Sequence, residues 1–285
     1  MSDEARGVAL VVAAVTSLQF GAGFAVTLFD ELGPSGAAFV RLAVAAVVLL
    51  AIWRPRLAGH PLGDLRVAAA FGIALGVMNW AIYSAMDRIP LGIAVTIEFA
   101  GPMAVAVAGS RRTLDLLWVA LAAAGILLLA DPGGGSLDAA GVGFALLAAA
   151  MWAAYILLSV RVGRLFPGGS GLALAMAVGA VVIAPLGITQ AGAALGHVDL
   201  LAAGAGVALA SSVIPYSFEL EALRRLPARV FGVLMSLEPA VAALAGLVVL
   251  GQSLGLLEWL AIGLVVVASA GATAARASAP AASRP

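Results

Sequence analysis

The sequence predicts an all-α integral membrane protein: ten transmembrane helices in two inverted five-helix repeats, with both termini on the cytoplasmic side. Three observations lead there. The 285 residues are 63% hydrophobic and only 11% charged, whereas soluble domains carry about 25% charged residues. Ten apolar runs, bounded by charge, Pro or Gly, are each close to the roughly 20 residues that cross a bilayer. A proline-punctuated motif recurs 137 residues downstream of its first occurrence.

The runs fall at about 7–28, 35–53, 66–86, 91–109, 114–130, 140–160, 170–190, 200–222, 230–250 and 255–274. The first follows Arg6 and has the look of a signal peptide, but it is long, lacks a clear small-residue cleavage site and precedes nine more runs, so it is expected to be retained. Positive residues of short loops stay on the cytoplasmic side. With the N-terminus inside, thirteen of the 15 basic residues (Arg6, Arg54, Arg56, Arg66, Arg111, Arg112, Arg161, Arg164, Arg224, Arg225, Arg229, Arg276 and Arg284) lie inside. Only Arg88 lies outside, and Arg41 lies within a span. Outer connections instead carry Asp30, Glu31, Asp87, Asp131, Asp138 and Asp199. The expected address is therefore a bacterial-type inner membrane, N-in and C-in.

The repeated stretch pairs YSAMDRIPLGIAVTIEFAGP (83–102) with LEALRRLPARVFGVLMSLEP (220–239): Ala85, Arg88, Pro90 and Pro102 match Ala222, Arg225, Pro227 and Pro239. Residues 1–130 form the expected first repeat, 131–137 a linker, 138–275 the second repeat and 276–285 a tail. Five is odd, so the second copy enters the membrane inverted, the plan on which many secondary transporters alternate access about a midplane site. A duplication that merely enlarged a bundle is the bland alternative.

Charges inside spans are costly and face protein, water or ligand. Arg41 and Glu98 lie six and seven residues into spans that start at the outer face, about 9 and 10 Å deep. They are candidates either for an ion pair locking two helices or for a direct ligand or proton role. Glu238, just before Pro239, has no span arginine at its depth and is a proton-carrying candidate. Glu219, nearer the inner end, reads first as an interfacial partner of Arg224 and Arg225 and second as a site residue. Glu258 and Asp115 start spans, where acids suit the helix dipole. Pro102, Pro215 and Pro239 free backbone carbonyls and are hinge or static-kink candidates. Asn79, Trp80 and Tyr83, with Ser211, Ser212, Tyr216 and Ser217, supply polar stripes that serve as interhelical glue or ligand contacts. Gly72 and Gly76 form a small-xxx-small pair for close packing.

Other chemistries are poorly served. Every Lys+Arg residue is Arg, so no GxxxxGK[ST] phosphate loop exists. There is no Cys, and His60 and His197 are lone loop residues, so no catalytic site, metal site or cofactor is expected. Zero net charge implies no attraction to nucleic acid. Oligomeric state is left open, because lipid-facing and partner-facing apolar surfaces read alike.

Three stretches carry a family resemblance: PSGAAFVRLA (34–43), IPLGIAVTIEFAGPMAVAVAGSRR (89–112) and IPYSFELEALRRLPARVFGVLMSLEPA (214–240). The chain resembles the drug/metabolite transporter superfamily in its ten-helix EamA-type form, over nearly its whole length. More narrowly it resembles the inner-membrane threonine/homoserine exporters. The resemblance implies efflux of small amino acids or related metabolites and a five-plus-five inverted fold, without fixing the substrate. The residues agree with that chemistry: a zwitterion needs a cation for its carboxylate and an acceptor for its ammonium, and Arg41, Glu98 and Glu238 supply both signs. The expectation is alternating-access, proton-driven export, with a small-molecule substrate and membrane lipid as partners. Rival readings are an exporter of another substrate class, a facilitative pore and a non-transporting membrane assembly protein. A drug exporter would need a larger aromatic cavity than 6% aromatic residues suggest.

Overall fold

The computed structural model describes residues 3–56, 59–108, 113–130 and 137–277. The expected linker, apart from Leu137, the tail from residue 278, and Asp131, Arg111, Arg112 and Arg284 lie outside the described residues. The side chains of Asp115, Arg229 and Arg276 do as well.

Among the described residues the chain is helical, with no strand. The helices are α1 (Asp3–Val26), α2 (Phe29–Trp53), α3 (Leu62–Met86), α4 (Leu91–Glu98), α5 (Ala100–Val107), α6 (Thr113–Ala130) and α7 (Ala139–Leu165). There follow α8 (Ser170–Ala191), α9 (Val198–Ala208), a π-helical turn (Leu209–Val213), α10 (Ile214–Leu223), α11 (Ala228–Met235), α12 (Glu238–Leu250) and α13 (Leu256–Ala277). Seven helical stretches among these are long and apolar enough to cross a membrane. Three apolar stretches, Leu91–Val105, Leu117–Leu128 and Leu256–Gly271, are shorter.

The expected fourth, eighth and ninth runs are not continuous α-helices, and proline is the cause in each. Pro102 cannot donate to the Glu98 carbonyl, and α4 gives way to α5 at Phe99. Pro239 cannot donate to Met235, and the helix breaks at Ser236 and Leu237 before restarting at Glu238. In the eighth run Pro215 follows the π turn. The second run starts where expected: Gly33, at φ 67°, turns the chain ahead of Pro34, and Gln190 Oε1 of α8 accepts a 2.7 Å hydrogen bond from the Ser35 N–H.

Packing places the broken helices centrally. α2 packs on α8, α3 on α7 and α8, and α6 on α13. α1 packs on α10 and α12, α4 on α12, and α5 on α7. Small residues permit the close approaches. A Cβ on Gly76 would lie 2.8 Å from the Gly179 Cα, so α3 and α8 meet backbone to backbone. Outside, Leu127, Val181 and Val248 are each more than two-thirds exposed, an apolar surface suited to lipid rather than water.

At the start of α7, Asp138 Oδ1 accepts from the N–H groups of Ala140 (2.7 Å) and Gly141 (3.1 Å), while Oδ2 meets Arg88 Nη1 at 3.2 Å. The Gly141 and Ala140 amides, and then Arg88, hold this carboxyl below its usual range. Because its folded-state value is lowered, its contribution to stability is present above the ordinary value of 3.8 and is lost as pH falls through the lowered one.

Thermal unfolding in detergent checks two expectations. Gly76→Ala lowers the Tm, whereas Gly143→Ala, whose Cβ would meet nothing within 4 Å, leaves it unchanged or raises it through better helix propensity. Asp138→Ala lowers the Tm at pH 7, and the gap to the parent protein closes as pH drops below about 4.

Candidate functional site

A cavity of about 350 Å³ lies among the broken helices. α1 contributes Gln19, α2 Arg41, α3 Asn79 and Tyr83, and α4 Glu98. α7 contributes Trp152 and Tyr155, α10 Tyr216 and Glu219, α12 Glu238 and α13 Ser269. Of the polar residues singled out from the sequence, Arg41, Asn79, Tyr83, Glu98, Tyr216, Glu219 and Glu238 line it, with Pro102, whereas Trp80, Ser211, Ser212 and Ser217 do not. Pro215 and Pro239 do not; they act on the backbone beside it.

Arg41 is 6% exposed, and among the described residues no carboxylate forms an ion pair with it. Among the described residues no ion pair within 4 Å joins it to Glu98, the first of the two roles the sequence left open for them, although both line the same space. Depth along two helices did not fix the direction of the side chains. The guanidinium is held instead by Nε to Ser212 Oγ (3.0 Å), Nη1 to Tyr83 Oη (3.2 Å) and Nη2 to the Ser211 carbonyl (2.8 Å). It also lies 5.4 Å from the Tyr83 ring centroid. An arginine has five N–H donors, so two remain for a ligand.

The Ser211 carbonyl is free for a local reason. In an α-helix it would accept from the N–H four residues on, which Pro215 lacks. The π turn frees its neighbour as well: the Ile214 N–H donates to Leu209, five residues back, leaving the Ala210 carbonyl to accept from Ser17 Oγ of α1 at 2.6 Å. Two successive carbonyls are thus taken by α1 and α2.

Glu238, at the first turn of α12, is 2% exposed. Its Oε2 accepts from Gln19 Nε2 at 3.3 Å, while Oε1, buried, has no hydrogen-bond partner among the described residues. Glu219 faces the cavity rather than the arginines; Glu221 takes Arg224 (3.0 Å) and Arg225. The helix turn places residues 219 and 221 about 200° apart, which a reading by depth alone misses. Asn79 donates to Leu75 within α3 at 2.8 Å, whereas Trp80 Nε1 reaches Ser35 Oγ of α2 at 3.1 Å and serves as glue. Ser217 is exposed and donates back to the Val213 carbonyl, four residues earlier in the π turn.

The sequence reading missed Gln19, Trp152, Tyr155 and Ser269 as lining residues. Gln19, an amide within the first span, carried the same signal as Asn79 and was legible. Aromatics were underestimated: all three tyrosines, with Phe99, Trp152 and Phe231, line the cavity, so a low average hides a local concentration. Phe99 and Trp152 meet edge to face at 5.2 Å, bracing the α4–α5 break against α7.

The EamA-like transporter family matches residues 139–274. The threonine/homoserine exporter RhtA of Escherichia coli (strain K12) is 39% identical over 268 residues, covering 93% of this chain and 90% of its own length. RhtA of Salmonella typhimurium (strain LT2) is 40% identical over 266 residues, with the same coverage. A protein of known crystal structure superposes with a TM-score of 0.64 at 17% identity, over 95% of this chain and 99% of its own, which shows a shared fold. Full-length similarity of this degree, together with the family match, shows that the chain belongs to the EamA-like transporter family.

Proposed function

We propose that the chain exports small amino acids of the threonine/homoserine type from the cytoplasm by proton-coupled alternating access. The observation that carries this is a single cavity of about 350 Å³ in which one guanidinium with two free donors faces three carboxyl groups. Its volume is near the lower end for small-molecule sites. Arg41 binds the substrate carboxylate, and Glu98 or Glu238 takes the ammonium or the proton. Its relatives of nearly equal length are named for threonine and homoserine export.

Ten spans, N-in and C-in, serve this mechanism as inverted repeats over 1–130 and 138–275. The seven long and three shorter apolar stretches support the count. Local geometry supports the repeat. Pro90 and Pro227 precede α4 and α11 at φ/ψ of −54/140° and −56/139°, and each following helix breaks ahead of its next proline. The protein acts in the inner membrane as a carrier rather than an enzyme, with lipid against its exposed apolar faces. The concentration of aromatic rings favours one second reading, a bulkier apolar metabolite as cargo.

Efflux of labelled threonine and homoserine from proteoliposomes, with and without a pH gradient, tests the proposal. One proton moving through 100 mV supplies about 2.3 kcal/mol, enough for roughly a fifty-fold gradient. Absence of flux for every amino acid, with transport of an aromatic compound instead, transfers the assignment to the second reading. Arg41→Gln reduces threonine flux by at least about tenfold through loss of a charge-assisted fork. Glu238→Gln keeps substrate exchange but loses acceleration by the pH gradient; undiminished acceleration removes Glu238 from coupling.

A further inference from the structure

We propose that Pro215 is a positioning residue for Arg41: by withholding a backbone N–H it leaves the Ser211 carbonyl as a seat that aims the guanidinium's two uncommitted N–H groups at a ligand carboxylate. Pro215 does not line the cavity and touches no substrate, so it acts only through Arg41. The recognition of a carboxylate at Arg41 is taken from the proposed function; the seating of Arg41 is independent of it.

A buried guanidinium can turn about its long stem, and a fork that recognises a carboxylate must not. Here rotation is stopped at three points. Nη2 is fixed by the Ser211 carbonyl, Nε by Ser212 Oγ one residue on, and Nη1 by Tyr83 Oη on the opposite helix. The first two acceptors belong to the π turn, and the turn itself is clamped. Ser17 holds the Ala210 carbonyl, Ser211 Oγ donates back to Val207 at 2.7 Å, and Gly21 of α1 lies so close that a Cβ there would be 3.0 Å from the Ser211 Cβ. An alanine at 215 supplies the missing N–H. It competes for the Ser211 carbonyl and removes the ring that keeps the turn from regular α-helix. Arg41 then keeps its charge and its cavity but loses its aim.

The consequence separates affinity from turnover. Pro215→Ala raises the KM for threonine about tenfold, the usual scale for one charge-assisted hydrogen bond, with maximal flux changed by less than about twofold. Ser212→Ala does the same without altering the helix backbone. In an Arg41→Gln background both effects vanish, since no guanidinium remains to be aimed.

A readout that needs no substrate completes the test. The purified full chain in detergent is treated with phenylglyoxal and labelling is quantified by peptide mass spectrometry. Arg41 reacts several-fold faster in Pro215→Ala and Ser212→Ala than in the parent, while exposed Arg88 is unchanged. Arg41 labelling in Pro215→Ala equal to that of the parent overturns the proposal whatever Ser212→Ala shows, as does an undiminished KM effect in the Arg41→Gln background. If Pro215→Ala fails to fold, Pro215→Ser, which also restores the N–H, takes its place, with the same outcomes deciding. Faster labelling with no threonine flux in the parent upholds the seating and overturns the substrate assignment instead.

Discussion

A guanidinium within the apolar interior must be met by acceptors, and among the described residues two of the three come from an interrupted helix, the third is the Tyr83 hydroxyl, and none is a carboxylate. Arg41 is seated on the carbonyl that Pro215 leaves unpaired and on the hydroxyl beside it. That seat requires the π turn, and the turn requires α1 to approach at Gly21 and to satisfy the neighbouring carbonyl through Ser17. Unsatisfied backbone groups cost several kcal/mol away from water, so each break in a helix is tolerated only where a neighbouring helix answers it. The positions of α1, α2 and α10 are thereby tied to one buried charge.

The same economy recurs elsewhere in the cavity lining. The break ahead of Pro239 places Glu238 at the start of α12, where Gln19 meets one oxygen and the other has no partner among the described residues. The break at Phe99 places Glu98 at the end of α4 and is braced by Trp152. Prolines and polar side chains are therefore parts of one arrangement: the prolines open the helices, and the carboxyls and the guanidinium occupy the openings.

Much of this was legible in the sequence, and the omissions have identifiable causes. Arg41, Glu98, Glu219 and Glu238 stand out because charges are rare inside apolar runs, and all four line the cavity. Their partners did not follow. Arg41 and Glu98 share a depth but not a contact, because depth gives height along a helix and says nothing of azimuth. Glu219 was placed first beside Arg224 and Arg225, where Glu221 stands, for a related reason, since two residues along a helix turn a side chain to the opposite wall. Tyr155 and Trp152 were passed over because aromatic residues in apolar runs look like core, which elsewhere in this chain they are.

By itself the sequence determined that the chain is helical and built for a membrane, since composition and run length depend only on residue type and order. It also marked the breaks, because proline lacks an N–H wherever it stands. Tertiary structure alone decided what fills each break. A freed carbonyl and a buried charge more than 150 residues apart meet only when α2 is laid against the π turn. That meeting is a matter of packing geometry, which no local pattern records.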